Sequence, residues 1–203
     1  FVNIKGGSIE MLDESIIPPP EPTYLSAKDF NISRTEVTFR QFDAFCNAAN
    51  RDIPDDSEWG RGDRPVINIR YDDAIAYCSW LSNLLGKTVR LPTVDEWEYA
   101  SRGGIKGGDN KLYSGSNRLQ EVSWCKYNSK DQTHPVGLKL ANELGLYDMS
   151  GNVYEFCEGV IDSMITLKGG SWANSGVGCR LSDQVVSKVN FWDDNIGFRC
   201  VQE

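Results

Sequence analysis

Apolar residues recur at helical spacing just after Thr38. Phe39, Phe42, Phe45 and Cys46 fall on one face, so the pattern predicts an amphipathic helix opened by Thr38. A second helix opens at Asp72 and Asp73, whose charge suits the positive end of a helix dipole. Its expected buried stripe is Tyr77, Cys78, Leu81 and Leu84, and Gly86 closes it. A third, shorter helix is marked by Thr93 and Glu96: the threonine hydroxyl can accept from the Glu96 amide while the Glu96 side chain reaches back. It should end near Gly103-Gly104.

The rest of the pattern is shorter in period. Residues 1–12 alternate around Lys5-Gly6-Gly7 and are expected to form a hairpin, and residues 30–37, 154–157, 166–168 and 196–201 read as short strands. The proline-rich stretch 16–22 lacks the N–H groups a ladder needs and is expected to be an extended connection. After Gly104 the chain becomes rich in Gly and Asn with frequent turn residues through Asn142. Residues 169–195 show neither period 2 nor period 3.6, so they are expected to lie on the surface as loops. The fold class that follows is α+β, with two main helices, short strands and much irregular loop. The 203 residues suit one domain, 1–203.

Composition narrows the functions. A formal net charge of -8 opposes nucleic-acid binding, which needs clustered Lys and Arg to displace counterions. No apolar run approaches the ~20 residues that span a bilayer. The six cysteines are widely spaced with no Cys-x-x-Cys, and the expectation is buried free thiols. A start at Phe1 rather than Met is expected of a chain that has lost a leader or tether, and equally of one trimmed there.

Four ordered blocks then carry a resemblance. They are Ser33-Arg34-Thr35-Glu36-Val37-Thr38 with Phe42; Arg90-Leu91-Pro92-Thr93 with Glu96-Trp97-Glu98-Tyr99-Ala100 and Arg102-Gly103-Gly104; Gly145-Leu146-Tyr147-Asp148-Met149 with Gly151-Asn152-Val153-Tyr154-Glu155; and Gly169-Gly170-Ser171-Trp172 with Gly197-Phe198-Arg199. Together they resemble the formylglycine-generating-enzyme or sulfatase-modifying-factor family, which implies an elaborated C-type-lectin-like fold. The third block is accounted for as a scaffold signature; in the family it can also hold calcium, here through Asp148, Gly151, Val153 and Glu155, whose mixed oxygen donors suit that ion.

The family's oxidases hold copper on two cysteines five residues apart, and the matching positions here are Asn174 and Cys179. An amide oxygen is a poor substitute for a thiolate toward soft Cu(I). A related iron-dependent branch needs three histidines, whereas this chain has one, His134, expected to be a loop residue. No Gly-x-Ser-x-Gly elbow, phosphate loop or His-Glu-x-x-His occurs. The expectation is therefore a chain that is not an enzyme and needs no cofactor, with calcium as an optional structural ion.

The stretch 169–199 is similar to the variable region of proteins diversified by retroelements. By position, the candidate ligand-contacting residues are Ala173, Ser175, Val177, Gly178, Leu181, Asp183, Val185, Val186, Ser187, Lys188, Asn190, Phe191, Trp192, Asp193 and Asp194. The frame would be Gly169, Gly170, Ser171, Trp172, Cys179, Arg180, Gly197, Phe198 and Arg199. Exposed Phe191 and Trp192 beside two carboxylates would make a contact patch; the competing reading puts Val185, Val186, Phe191 and Trp192 into core under the loop. This resemblance implies a lipid-anchored cell-surface protein that binds a protein or other macromolecular ligand. The alternatives are a copper oxidase acting on protein cysteine and a calcium-dependent lectin.

Overall fold

A computed structural model describes residues 1–11, 23–107 and 111–203. The proline-rich connection at 16–22 lies outside the described residues. Strands β1 (Val2–Ile4), β2 (Gly7–Met11), β3 (Thr23–Ala27) and β4 (Phe30–Ile32) come first, followed by helices α1 (Phe39–Ala49) and α2 (Tyr71–Leu85). Next are β5 (Val89–Arg90) and α3 (Val94–Ser101), and after a long irregular stretch β6 (Tyr154–Phe156), β7 (Met164–Lys168), β8 (Gln184–Lys188), β9 (Ile196–Gly197) and β10 (Val201–Gln202). One sheet has the order β1-β4-β10-β5, another β8-β7-β6-β9, and β2 and β3 form a separate pair. The α+β class expected from the pattern is the class observed.

The expected hairpin over residues 1–12 does not form. β1 pairs with β4 (Val2↔Ile32), whereas β2 pairs with β3 (Gly7↔Ala27), because the chain changes sheets at Gly6. There a Cβ would come within 2.5 Å of the Ala27 carbonyl oxygen, and Asp29 receives both the Gly6 N–H (2.9 Å) and the Lys5 ammonium (2.8 Å). Residues 33–37 likewise leave the strand expected at 30–37. They stay tied to the C-terminal segment through Ser33 N–H to Cys200 O and Val37 N–H to Phe198 O, both 2.8 Å.

The helix starts expected at Thr38 and at the Thr93–Glu96 capping box both hold, and Thr38 also turns out to open a capping box. Thr38 with Gln41 and Thr93 with Glu96 make reciprocal bonds, the Glu96 carboxylate accepting the Thr93 N–H at 2.9 Å. α1 buries Phe39, Phe42, Phe45 and Cys46, as the spacing predicts. In α2 the buried face is Tyr71, Ala74, Tyr77 and Cys78; Leu81 is half-buried and Leu84 is exposed, which corrects the expected stripe. Ser82 explains the difference. Its hydroxyl accepts the Val89 N–H (2.8 Å) and so turns toward β5, and Leu84, two residues on, points about 200° away.

The larger core cluster joins α1 and α2 to Phe156, Ile165, Leu167, Ile196 and Phe198 of the second sheet's side. Phe42 stacks on Tyr77 (5.6 Å) and meets Phe198 edge-on (6.2 Å); burial of such a ring contributes about 2–3 kcal/mol. A second cluster surrounds Trp97 and Tyr99 on α3 and packs under the first sheet. All six cysteines are buried and free, as expected.

Candidate functional site

β7 ends at Lys168, and Gly169 and Gly170, which follow it, launch the candidate segment. Gly169 and Gly170 have φ of 94° and 75°, and a Cβ on Gly170 would lie 2.3 Å from the Gly178 carbonyl oxygen, so only glycine lets the chain double back there. Ser171 then holds Asn174: its hydroxyl and N–H lie 2.6 and 3.0 Å from the Asn174 Oδ1. Trp172 donates its main-chain N–H to Asn152 O (2.8 Å) and its indole N–H to Asp194 O (3.2 Å), and its ring meets Trp59 edge-on.

The segment is held largely by main-chain atoms. Lys168, fully buried, donates to Leu181 O (2.9 Å) and pairs with Glu98 (3.1 Å). Leu181 N–H reaches Leu112 O (3.0 Å), Val189 N–H reaches Ser163 O (2.9 Å), and Asn68 N–H reaches Asp193 O (3.2 Å). Lys168, Leu112, Asn68 and Trp59 were not singled out from the sequence. Lys168 alone gave a signal, as a cation ending an apolar strand just before two glycines.

Most candidate contact residues face outward. Val177, Val186, Phe191 and Trp192 are each about half exposed or more, Val185 is 37% exposed, and Ala173, Ser175, Lys188 and Asn190 are also exposed. Asp183, Ser187, Asp193 and Asp194 are partly exposed. The competing core reading of Val185, Val186, Phe191 and Trp192 is thereby overturned.

Three placements correct the expectation. Leu181 is 2% exposed and belongs to the interior, since its main chain is gripped from both sides by Lys168 and Leu112. A Cβ on Gly178 would meet the Asn174 amide nitrogen at 2.9 Å, so Gly178 serves the turn. Arg180, expected in the frame, is exposed. The segment is also not all loop: residues 184–188 form β8, paired along its whole length with β7 from Lys168↔Gln184 to Met164↔Lys188. The remaining frame residues, Ser171, Cys179, Gly197, Phe198 and Arg199, are buried, and Trp172 is half-buried.

Beneath the frame lies a charged cluster. Arg199 donates to Glu155 from Nε (2.6 Å) and Nη2 (2.8 Å), and to the carbonyls of Ser33 (3.2 Å) and Tyr147 (2.8 Å); both side chains of the pair are fully buried. Trp97 Nε1–H also donates to Glu155 (2.7 Å). Nearby Glu36 is 1% exposed, and neither of its carboxyl oxygens has a partner among the described residues. Burial first, and then the charges of Asp148 and Glu155, hold its carboxyl well above the usual range. Asp148 is pushed up to about 6, chiefly by burial; Gly137 N–H occupies its Oδ2 (2.7 Å), and its Oδ1 is unpartnered.

The calcium set implied by resemblance was Asp148, Gly151, Val153 and Glu155. The free Oδ1 of Asp148 suits a cation, but both Glu155 oxygens already accept from Arg199 and Trp97, and the Arg199 guanidinium neutralises the charge such an ion would need. The four positions as arranged do not fit calcium. The positions matching the copper ligands fit no better. Asn174 Oδ1 is engaged by Ser171, and burial pushes the Cys179 thiol up to about 12, so it stays protonated at neutral pH. His134 is a loop residue: its Nε2 is 2.6 Å from Ser129 O, its ring stacks on Trp124 at 3.8 Å, and burial lowers its pKa. Among the described residues no group of three or more His, Cys, Asp or Glu is placed to hold a metal, and no helix is long and apolar enough to cross a membrane.

Comparison with known proteins places this geometry in context. The family described as the sulfatase-modifying factor enzyme 1-like domain matches residues 1–203. The chain is 32% identical to the chaperone protein LppX of Paenibacillus barcinonensis over 74% of its own length and 72% of that protein's. It is 34% identical to the inactive C-alpha-formylglycine-generating enzyme 2 of Bos taurus over 67% of its own length, spanning about half (49%) of that relative. Among solved structures, Treponema denticola variable protein 1 superposes with a TM-score of 0.82 at 26% identity, covering 99% of this chain and 94% of that one.

Proposed function

Given that this chain belongs to the sulfatase-modifying factor enzyme 1-like family, we propose that it is a non-catalytic member of it, a single unit that binds a protein ligand through residues 169–199. One observation carries the reading: Val177, Val185, Val186, Phe191 and Trp192 stand exposed on a segment whose backbone is fixed by Lys168, Leu112, Ser163 and Asn68. Exposed rings on a rigid support give contact area at low entropic cost, and the neighbouring carboxylates of Asp193 and Asp194 select among partners. The likeness to Treponema denticola variable protein 1 supports a segment that varies between copies of the gene, as a retroelement would diversify it. The likeness to LppX is the support for placing the protein on a lipid anchor at the cell surface.

The oxidase alternative draws on the enzymes of the same family. Against it stand the engaged Asn174 and the buried, protonated Cys179. Two experiments test the proposal. Sibling copies of the gene should differ at the exposed positions among 173–194 while keeping Gly178 and Leu181; differences spread evenly over the chain would sink the diversified-segment reading. The purified protein, given copper and a cysteine-containing sulfatase peptide, should consume no oxygen. Stoichiometric copper with peptide oxidation that disappears in Cys179→Ser would establish the oxidase instead.

A further inference from the structure

We propose that β8 is an acceptor strand: the ligand's bound portion is an extended polypeptide segment, carrying apolar and basic side chains, that adds to the open edge of the β8-β7-β6-β9 sheet. The inference rests on the ligand-binding reading of residues 169–199 and names the chemistry of its partner.

The main chain sets the geometry. Cys157 N–H donates to Thr166 O (3.0 Å), so Thr166 turns its peptide groups toward β6. Along an antiparallel strand these groups alternate sides, so Ile165 and Leu167 turn theirs toward β8, where their register partners are Ser187 and Val185. The peptide groups of Gln184 and Val186 therefore point away from the sheet. β8 is the terminal strand, and nothing pairs with that side among the described residues.

Natural edges are commonly blunted by proline, a bulge, inward charges or a covering element. β8 has no proline, its register with β7 runs without a bulge through five pairs, and one charge, Lys188, stands at its end. Val185 and Val186 are exposed along it, and the turn in which Phe191 N–H bonds Lys188 O (2.9 Å) sets Phe191 against the same end. An edge left open, apolar and straight is a template for main-chain pairing, in which backbone bonds supply affinity and side chains supply choice. Charge complementarity points to a basic segment, because the chain carries a net charge of -8 and so attracts cationic chains at long range.

The test starts from a displayed library of random short linear peptides, selected on the intact protein and resynthesised. Selected peptides should alternate β-branched residues with Lys or Arg, and their binding should protect the Val186 amide from hydrogen exchange. N-methylation of alternate peptide amides should weaken binding by about tenfold or more, equivalent to about 1.4 kcal/mol, with the protein itself unaltered. Val186→Pro should do the same while the melting temperature stays near wild type, because the outward N–H it removes bonds nothing in the sheet. Val186→Thr, which keeps that N–H, should retain most of the affinity. Peptides that bind through residues 169–199 yet tolerate N-methylation and leave Val186 unprotected would overturn the acceptor strand and keep the binding segment. A library that yields no binder mapping to 169–199 would count against both.

Discussion

Replacing Arg199 by Met should cost far more than a typical core substitution. The guanidinium is fully buried, makes two bonds to Glu155 of 2.6 and 2.8 Å, and also satisfies the carbonyls of Ser33 and Tyr147. Methionine fills similar volume but leaves Glu155 charged in the interior with only the Trp97 indole as donor, and Glu36 and Asp148 lose a nearby cation. Breaking a buried pair from one side costs about 3–5 kcal/mol. Domains of this kind have about 5–15 kcal/mol in all, so the variant should sit near the edge of folding. Urea melts followed by near-UV circular dichroism at neutral pH would measure it. Adding Glu155→Gln to Arg199→Met should recover part of the loss, since the stranded charge is gone. A cost under about 1 kcal/mol for Arg199→Met, or a double variant no better than the single one, would refute the reasoning.

Three further outcomes follow from the same structure. Leu181→Ala should cost about 2–4 kcal/mol and Val186→Ala under about 1, because one faces the interior and the other solvent; equal losses in denaturant melts would contradict that assignment. Asp148, raised from 3.8 to about 6, binds more protons folded than unfolded, so its contribution is full below pH 3.8 and is lost as pH rises through 6. That swing is worth about 3 kcal/mol, and the slope of stability against pH over this window should flatten in Asp148→Asn. Chelator treatment should leave the melting temperature unchanged, and a rise on adding calcium would show that Glu155 can release Arg199 for an ion.

The helices were legible because their signals are local: three phenylalanines and a cysteine at helical spacing after Thr38, and Thr93 followed three residues later by a glutamate able to reach back. The sheets were not. β5, β9 and β10 are two residues long, too short to show alternation, and β10 finds its place between β4 and β5 only through contacts far apart in sequence. β8 hid for another reason. At a sheet edge both Val185 and Val186 are exposed, so no inside-outside rhythm marks the strand. Of the residues expected to frame the candidate segment, Gly197, Phe198 and Arg199 are buried and Trp172 is half-buried. The Lys168 grip and the Glu36–Asp148–Glu155–Arg199 cluster escaped, since their partners lie tens to more than a hundred residues away.

The grips that other parts of the chain place on residues 171–195 fall largely on peptide atoms: carbonyls of Leu181 and Asp193, N–H groups of Leu181, Val189 and Trp172. Peptide atoms are the same whichever codon is written above them. Heredity can therefore rewrite the outward side chains without touching the fasteners, and one backbone can be issued in many editions. A protein engineer could use the same arrangement, randomising positions 185, 186, 191 and 192 together while leaving Lys168 and its neighbours alone.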